Sequence, residues 1–243
     1  MSRACALAAV VVALGAGCGG SSDEQLEVFA ASSLREVGAE LDDSLRYTFA
    51  GSDELAAQIR DGAPADVFLS ASGAPLQQLR SAGLVEAPFV FASNRLVVVV
   101  PEGNAAGLER FDDLARPGVK LILGGEGVPV GDYAREALAA AGLGAALENV
   151  VSLEQDVKGV LGKVALGEAD AGIVYTTDVG AAAGDVRELA IPDDVQPEVR
   201  YYAAVVTSGD TARAAAFVER LAGDEGGRAL RAAGFLPVPD RAQ

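Results

Sequence analysis

Residues 26–70 read LEVFAASSLREVGAELDDSLRYTFAGSDELAAQIRDGAPADVFLS. Leu26–Ala30 is short, apolar and partly β-branched, which predicts a strand. Leu34, Val37 and Leu41 recur at helical spacing and predict a helix over 34–44. Tyr47–Ala50 reads as a second strand. Glu54–Arg60 reads as a second helix, stopped by Asp61-Gly62-Ala63-Pro64. Asp66–Ser70 is a third strand, and a third helix follows over Pro75–Ala82. Strands and helices that alternate in this way bury both faces of a sheet. The expected class is α/β with mostly parallel sheets.

Further along the chain, Leu96–Val100 is a fully apolar run flanked by Ser93-Asn94 and ended by Pro101, the pattern of a long buried strand. The alternation then restarts. Strands are expected at Lys120–Leu123 and Ala171–Val174, with helices at Pro129–Ala141, Val157–Leu166 and Thr177–Ala183. Val199–Val206 is another long strand, and helices near Thr211–Ala222 and Glu225–Ala233 close the chain. Two α/β units joined by two long crossing strands imply two lobes, a hinge and a cleft between them. The expected division is 26–93 with 204–243 as lobe one and 94–203 as lobe two.

Toward the N-terminus, residues 1–18 read MSRACALAAVVVALGAGC. Arg3 supplies a basic start, and Ala4 to Ala16 is an apolar stretch too short to span a bilayer as a helix. Gly15-Ala16-Gly17-Cys18 resembles a lipoprotein signal box, although the usual leucine three places before the cysteine is displaced to Leu14. The resemblance implies lipidation of Cys18 and anchoring to the outer face of the cell membrane. Ordinary signal cleavage is the alternative. Gly19 to Glu24 is polar and flexible, so residues 1–25 form a signal and tether rather than part of the fold.

The composition excludes several functions. The net charge is −16, which argues against a nucleic-acid surface. Histidine is absent, which removes Ser-His-Asp and Cys-His catalysis and His-ligated zinc. No Gly-x-Ser-x-Gly elbow occurs. The chain is therefore expected to be no enzyme and to need no cofactor. The two cysteines, Cys5 and Cys18, both lie in the leader and cannot cross-link the domain.

The strand-to-helix junctions carry the functional signal. They are Ser32-Ser33, Gly51-Ser52, Pro129-Val130-Gly131 and Asp156-Val157. In an open α/β sheet, ligands bind outside the carboxyl ends of the strands. Helix N-termini there present unpaired N–H groups and partial positive charge, which makes an anion site without lysine or arginine. A strongly acidic chain can therefore still bind an anion in a closed cleft. Taken singly, each serine has an ordinary explanation as a helix cap, and Tyr175 as a core-edge tyrosine. The combination is what points to a ligand.

The same pieces resemble a known family. Phe29-Ala30-Ala31-Ser32-Ser33-Leu34, Phe49-Ala50-Gly51-Ser52, Leu55-Ala56-Ala57-Gln58-Ile59 and Gly62-Ala63-Pro64-Ala65-Asp66-Val67-Phe68-Leu69-Ser70-Ala71 come first. Leu96-Val97-Val98-Val99-Val100-Pro101, Val128-Pro129-Val130-Gly131-Asp132-Tyr133-Ala134, Asp156-Val157-Lys158-Gly159 and Gly172-Ile173-Val174-Tyr175 follow in order. Together they resemble the periplasmic molybdate-binding proteins of ABC transporters, which have the two-lobed type II periplasmic-binding-protein fold. The resemblance implies capture of molybdate or tungstate for an importer permease. It assigns oxyanion contacts to Ser33, Ser52 and Tyr175 and to the backbone amides of Val130 and Val157, with Ser32 as support. It also implies a monomer. Another oxyanion, such as sulfate or phosphate, is the alternative ligand. The fold is also that of the effector domain of some transcription regulators, but such a protein would carry a helix-turn-helix in place of a signal segment.

Asp53 departs from the family pattern, which often has a small or hydroxyl residue there. Its carboxylate would complement the helix dipole, accept a proton from a protonated oxyanion or, with Asp132, resemble carboxylates that join the metal's coordination shell in a related archaeal type. Tyr201-Tyr202 resembles the paired tyrosines of iron-binding members of the fold, but no histidine is present to accompany it.

Overall fold

The computed structural model describes residues 25–238. The expected signal segment and Cys18 lie outside the described residues. Within them, no helix is long and apolar enough to cross a membrane.

The first half of the chain builds β1 (Glu27–Ala31), α1 (Arg35–Leu41), β2 (Arg46–Ala50), α2 (Ser52–Arg60), β3 (Val67–Ser70), α3 (Gly73–Ser81) and β4 (Phe89–Asn94). The second lobe carries β5 (Leu96–Pro101), β6 (Leu121–Gly124), α4 (Pro129–Ala140), β7 (Val150–Glu154), α5 (Val157–Ala165), β8 (Ala171–Tyr175) and β9 (Val186–Ala190). The chain then returns to the first lobe with β10 (Val199–Val205), α6 (Thr211–Ala222) and α7 (Asp224–Ala232). The strands form two five-stranded sheets, ordered β2-β1-β3-β10-β4 and β7-β6-β8-β5-β9.

Both sheets follow one plan. Three strands run parallel, β2-β1-β3 in one and β7-β6-β8 in the other. Two more pair antiparallel, β10 and β4 in the first and β5 and β9 in the second. In each sheet one strand, β10 in the first and β5 in the second, runs against the other four, so the sheets are mixed with most strands in one direction, as expected. The reversed strands are those that carry the chain into and out of the second lobe.

The first crossing is a single extended segment, since only Arg95 separates β4 from β5. The second crossing differs from expectation. β10 pairs with β4 from Val199↔Asn94 through Ala203↔Phe89, so it lies wholly in the first sheet. The chain therefore returns to lobe one by Val199 rather than at residue 204. An apolar run such as Val199–Val206 signals burial on both faces, but it does not say which sheet buries it.

Three strands were not expected: β4, β7 and β9. β7 and β9 sit at sheet edges and leave several residues exposed, alternately in β7, so they lack the continuous apolar run of a central strand. β4 ends in Ser93-Asn94, which resemble turn residues. The expected helix over 34–44 is split into a 3-10 turn at Ser32–Leu34 followed by α1. The expected helix at Thr177–Ala183 is a 3-10 segment, Thr176–Ala182.

A continuous apolar core passes through both lobes and includes Val28, Ala30, Leu96, Val98, Leu121, Ile173, Tyr175 and Tyr201. A smaller cluster, with Phe29, Leu55, Ile59, Phe68, Leu76 and Leu79, packs α2 and α3 on the opposite face of the first sheet.

Candidate functional site

Five parallel strands end on one cleft. Ser33 lies in the 3-10 turn after β1, and Ser52 is the first residue of α2 after β2. Val130 is the second residue of α4 after β6, Val157 is the first residue of α5 after β7, and Tyr175 closes β8. All five line one cleft, together with Ser32, Gly51, Val128, Pro129 and Asp156. The residues that the sequence marks as oxyanion contacts are therefore gathered by the fold from both lobes. Neither lysine nor arginine is among the described lining residues.

Each donor is held by a local cause. The side chain of Asp156 accepts a hydrogen bond from the Gly159 N–H at 2.9 Å and caps α5. Val157 is then the first helical residue, and its N–H has no partner within the helix. In α4, Pro129 fills the first position, where a missing N–H costs nothing, and Val130 follows as the second residue, whose N–H has no partner within the helix. Gly131 lets α4 sit close against the end of β6: a Cβ there would stand 2.2 Å from the Gly124 carbonyl oxygen. Gly51 does the same between lobes, since a Cβ at that position would meet the Gln155 carbonyl oxygen at 2.4 Å. Both glycines are required by close approach, and Gly51 is the one that lets the two rims of the cleft come together.

The hydroxyls have defined polarity. The Ala71 N–H donates to Ser52 Oγ at 3.1 Å, so the serine's own proton remains free to donate. Ser33 Oγ lies 2.9 Å from Tyr201 Oη. Tyr175 Oη is buried and has no hydrogen-bond partner in the protein. Relative exposures of 4% for Ser33, 1% for Ser52 and 1% for Tyr175 shield all three from water. Burial holds the Tyr175 hydroxyl well above the usual tyrosine range, with nearby Tyr201, Tyr133, Asp178 and Asp132 adding to the effect. It is a proton donor throughout the accessible pH range.

A cation stands beside the cleft, where it joins the lobes. Lys158 Nζ lies 2.7 Å from Glu36 in α1 and 2.8 Å from Asp178, which is fully buried in lobe two. Burial pushes the Asp178 carboxyl up to about 6, against the opposing pull of Lys158. No sequence signal singled out Lys158 for this role.

Other residues that the sequence brings forward fall outside the cleft lining. Asp53 lies near the start of α2 but does not line the cleft. Burial raises its carboxyl above the usual range; the backbone N–H groups of Asp53 and Glu54 oppose the shift, and Glu54 and Asp132 reinforce it. Asp132 accepts the Gly127 N–H at 3.0 Å and likewise does not line the cleft. Tyr201 and Tyr202 pack into different apolar clusters on opposite faces of the first sheet. Neighbours on a strand diverge in this way, so the two cannot jointly ligate an ion.

Comparisons with known proteins place the chain in a family. A family profile for the bacterial extracellular solute-binding proteins matches residues 26–236. The molybdate-binding protein of Mycobacterium tuberculosis is 36% identical over 219 residues, which cover 86% of this chain and 83% of that one. The molybdate-binding protein of Escherichia coli is 30% identical, covering 88% of this chain and 90% of its own. The structure of the Azotobacter vinelandii periplasmic molybdate-binding protein superposes with a TM-score of 0.77 at 22% identity, over 89% of this chain and 100% of that one. At that identity, the last match concerns the fold alone.

Proposed function

The chain belongs to the bacterial extracellular solute-binding proteins, and from that premise we propose that it captures molybdate or tungstate between its lobes and delivers the anion to an ABC importer permease. The observation that carries the ligand class is the donor set. Three shielded hydroxyls and two helix-start amides converge on one cleft, and a buried tyrosine hydroxyl there has no partner of its own. An unpaired buried hydroxyl costs on the order of 1–3 kcal/mol, a cost that an incoming oxyanion removes. Fixed donors suit a tetrahedral anion that arrives fully deprotonated, because the donors have no need of an acceptor in return. The names of the mycobacterial and enterobacterial relatives support molybdate in particular.

We further propose that the protein works outside the cytoplasm as a lipid-anchored monomer, held through Cys18, and uses no cofactor. The signal-like segment before Cys18 supports the anchor. Replacing Cys18 by alanine should release the protein from the membrane fraction. Retention of the Cys18→Ala protein in that fraction would rule the anchor out.

Calorimetry with molybdate, tungstate, sulfate and phosphate tests the ligand. Molybdate and tungstate should bind tightly and alike. Sulfate should bind at least about tenfold more weakly, a difference that needs only about 1.4 kcal/mol. A preference for sulfate or phosphate would overturn the molybdate assignment.

A further inference from the structure

Tyr201 touches both halves of the donor set without lining the cleft. It belongs to β10 in lobe one and is fully buried. Its Oη stands 2.9 Å from Ser33 Oγ. Its ring meets the Tyr175 ring edge-on at 5.8 Å, and Phe235 and Phe91 hold it from other sides at 5.2 and 6.1 Å. Beyond Tyr201 lies Asn94, the last residue of β4 at the first crossing between lobes.

Geometry fixes the orientation of Asn94. The Arg95 N–H, which can only donate, meets the Asn94 side chain at 2.8 Å, so the atom it meets is the carbonyl oxygen Oδ1. The amide nitrogen Nδ2 is therefore the other atom. It donates to Thr177 Oγ1 at 2.9 Å and approaches Tyr201 Oη at 3.5 Å. An amide nitrogen only donates, so Tyr201 Oη accepts on that side. The single phenolic proton is left for Ser33 Oγ. Ser33 then accepts from Tyr201, and its own proton is free to turn into the cleft.

We propose that Tyr201 is a positioning residue: together with Asn94 it forms a relay of one polarity, Asn94 to Tyr201 to Ser33, that presents the Ser33 hydroxyl to the bound anion as a donor. Without the relay, the Ser33 hydroxyl can turn its proton toward the protein and its lone pairs toward the anion. This rests on the oxyanion reading above. The relay also begins at the crossing segment and reaches Thr177 in lobe two, so the polarity of a lobe-one donor is set by a residue at the junction of the lobes.

A double-mutant cycle between Tyr201→Phe and Ser33→Ala, read by calorimetry with molybdate, tests the relay. Phenylalanine keeps the ring and its packing but removes the hydroxyl. Tyr201→Phe should weaken molybdate binding about tenfold in the wild-type background, the scale of one hydrogen bond to a charged ligand. In the Ser33→Ala background the same change should alter affinity less than about twofold, because the group it acts through is gone. A purely structural role predicts equal losses in both backgrounds, and that result would overturn the proposal. The same cycle, read by urea unfolding of the ligand-free protein, isolates the Tyr201–Ser33 bond from the ligand. Additive losses of stability there would overturn the relay even if the wild-type protein bound none of the oxyanions, an outcome that would by itself defeat only the ligand assignment.

Discussion

Lobe one and lobe two share a strand plan but supply the cleft with different chemistry. Lobe one contributes serine hydroxyls, each already engaged with the protein: Ser52 Oγ accepts from the Ala71 N–H and Ser33 Oγ pairs with Tyr201. Lobe two contributes groups without such support: the helix-start amides of Val130 and Val157, and a Tyr175 hydroxyl with no protein partner. It also buries the Asp178 carboxylate behind Lys158. The lobe-one hydroxyls thus each have one protein partner when the cleft is empty, while lobe two holds a hydroxyl with none and a costly buried charge. On this contrast, the donors of both lobes contribute comparably to affinity, while the empty cleft is the costlier in lobe two.

The buried charge should give the largest effect. The folded-state pKa of Asp178, raised to about 6 from 3.8, means that the folded protein holds a proton the unfolded chain has released. The associated stability is present below about pH 4 and is lost as pH rises through about 6, on the order of 3 kcal/mol in all. Asp178→Asn cannot titrate and should lack this slope. Urea unfolding across pH 4–7 should show the variant gaining on the wild type by about that amount. Parallel curves would mean that lobe two carries no such burden.

Removing an amide from lobe two comes next. Val157→Pro deletes the N–H at the first position of α5, where proline is well tolerated. Binding should fall by about 1.5–3 kcal/mol. Val157→Ala, which keeps the N–H, should bind almost normally. Calorimetry on both variants, with circular dichroism to verify folding, checks the pair. Equal affinity of the two would remove Val157 from the site.

Hydroxyl deletions should separate the lobes by sign. Tyr175→Phe and Ser52→Ala should each weaken binding by about 1.5–3 kcal/mol. In the ligand-free protein their effects should part. Ser52→Ala strands the Ala71 N–H and should cost about 1 kcal/mol of stability. Tyr175→Phe removes a hydroxyl that had no partner and should leave the protein at least as stable. Thermal melts without ligand give the answer, and matching losses would erase the contrast between lobes.

The smallest expected effect lies at the contact between lobes. Glu36→Gln weakens the link to Lys158, which is partly exposed. Affinity should fall by only about 0.5 kcal/mol. A loss as large as that of Tyr175→Phe would move the seat of binding energy from the donors to the closure of the cleft.

Much of this was legible in the sequence. Helix starts showed in Ser33, Ser52, Pro129 and Asp156 because caps and first-turn residues act locally, and their chemistry appears within a few residues. Central strands showed because burial on both faces demands an unbroken apolar run. Edge strands β7 and β9 did not, because their exposed residues dilute that run. The roles of Tyr201, Asn94 and Lys158 were hidden for a different reason. Each acts on a residue distant in sequence, Ser33, Tyr201 or Glu36, and neither periodicity nor spacing encodes a partner more than 60 residues away. Tyr201 did stand out as half of a tyrosine pair. The alternation of side chains along a strand then gave its two members unrelated environments.

The central claim is that donors from both lobes converge on a single anion. Crystals grown with molybdate, with diffraction measured at the molybdenum absorption edge, test it most directly. The expected result is one anomalous peak in the cleft, with oxygens within hydrogen-bonding reach of Ser33 Oγ, Ser52 Oγ, Tyr175 Oη and the amide nitrogens of Val130 and Val157. A peak held by one lobe alone, or one lying outside this cleft, would contradict the account.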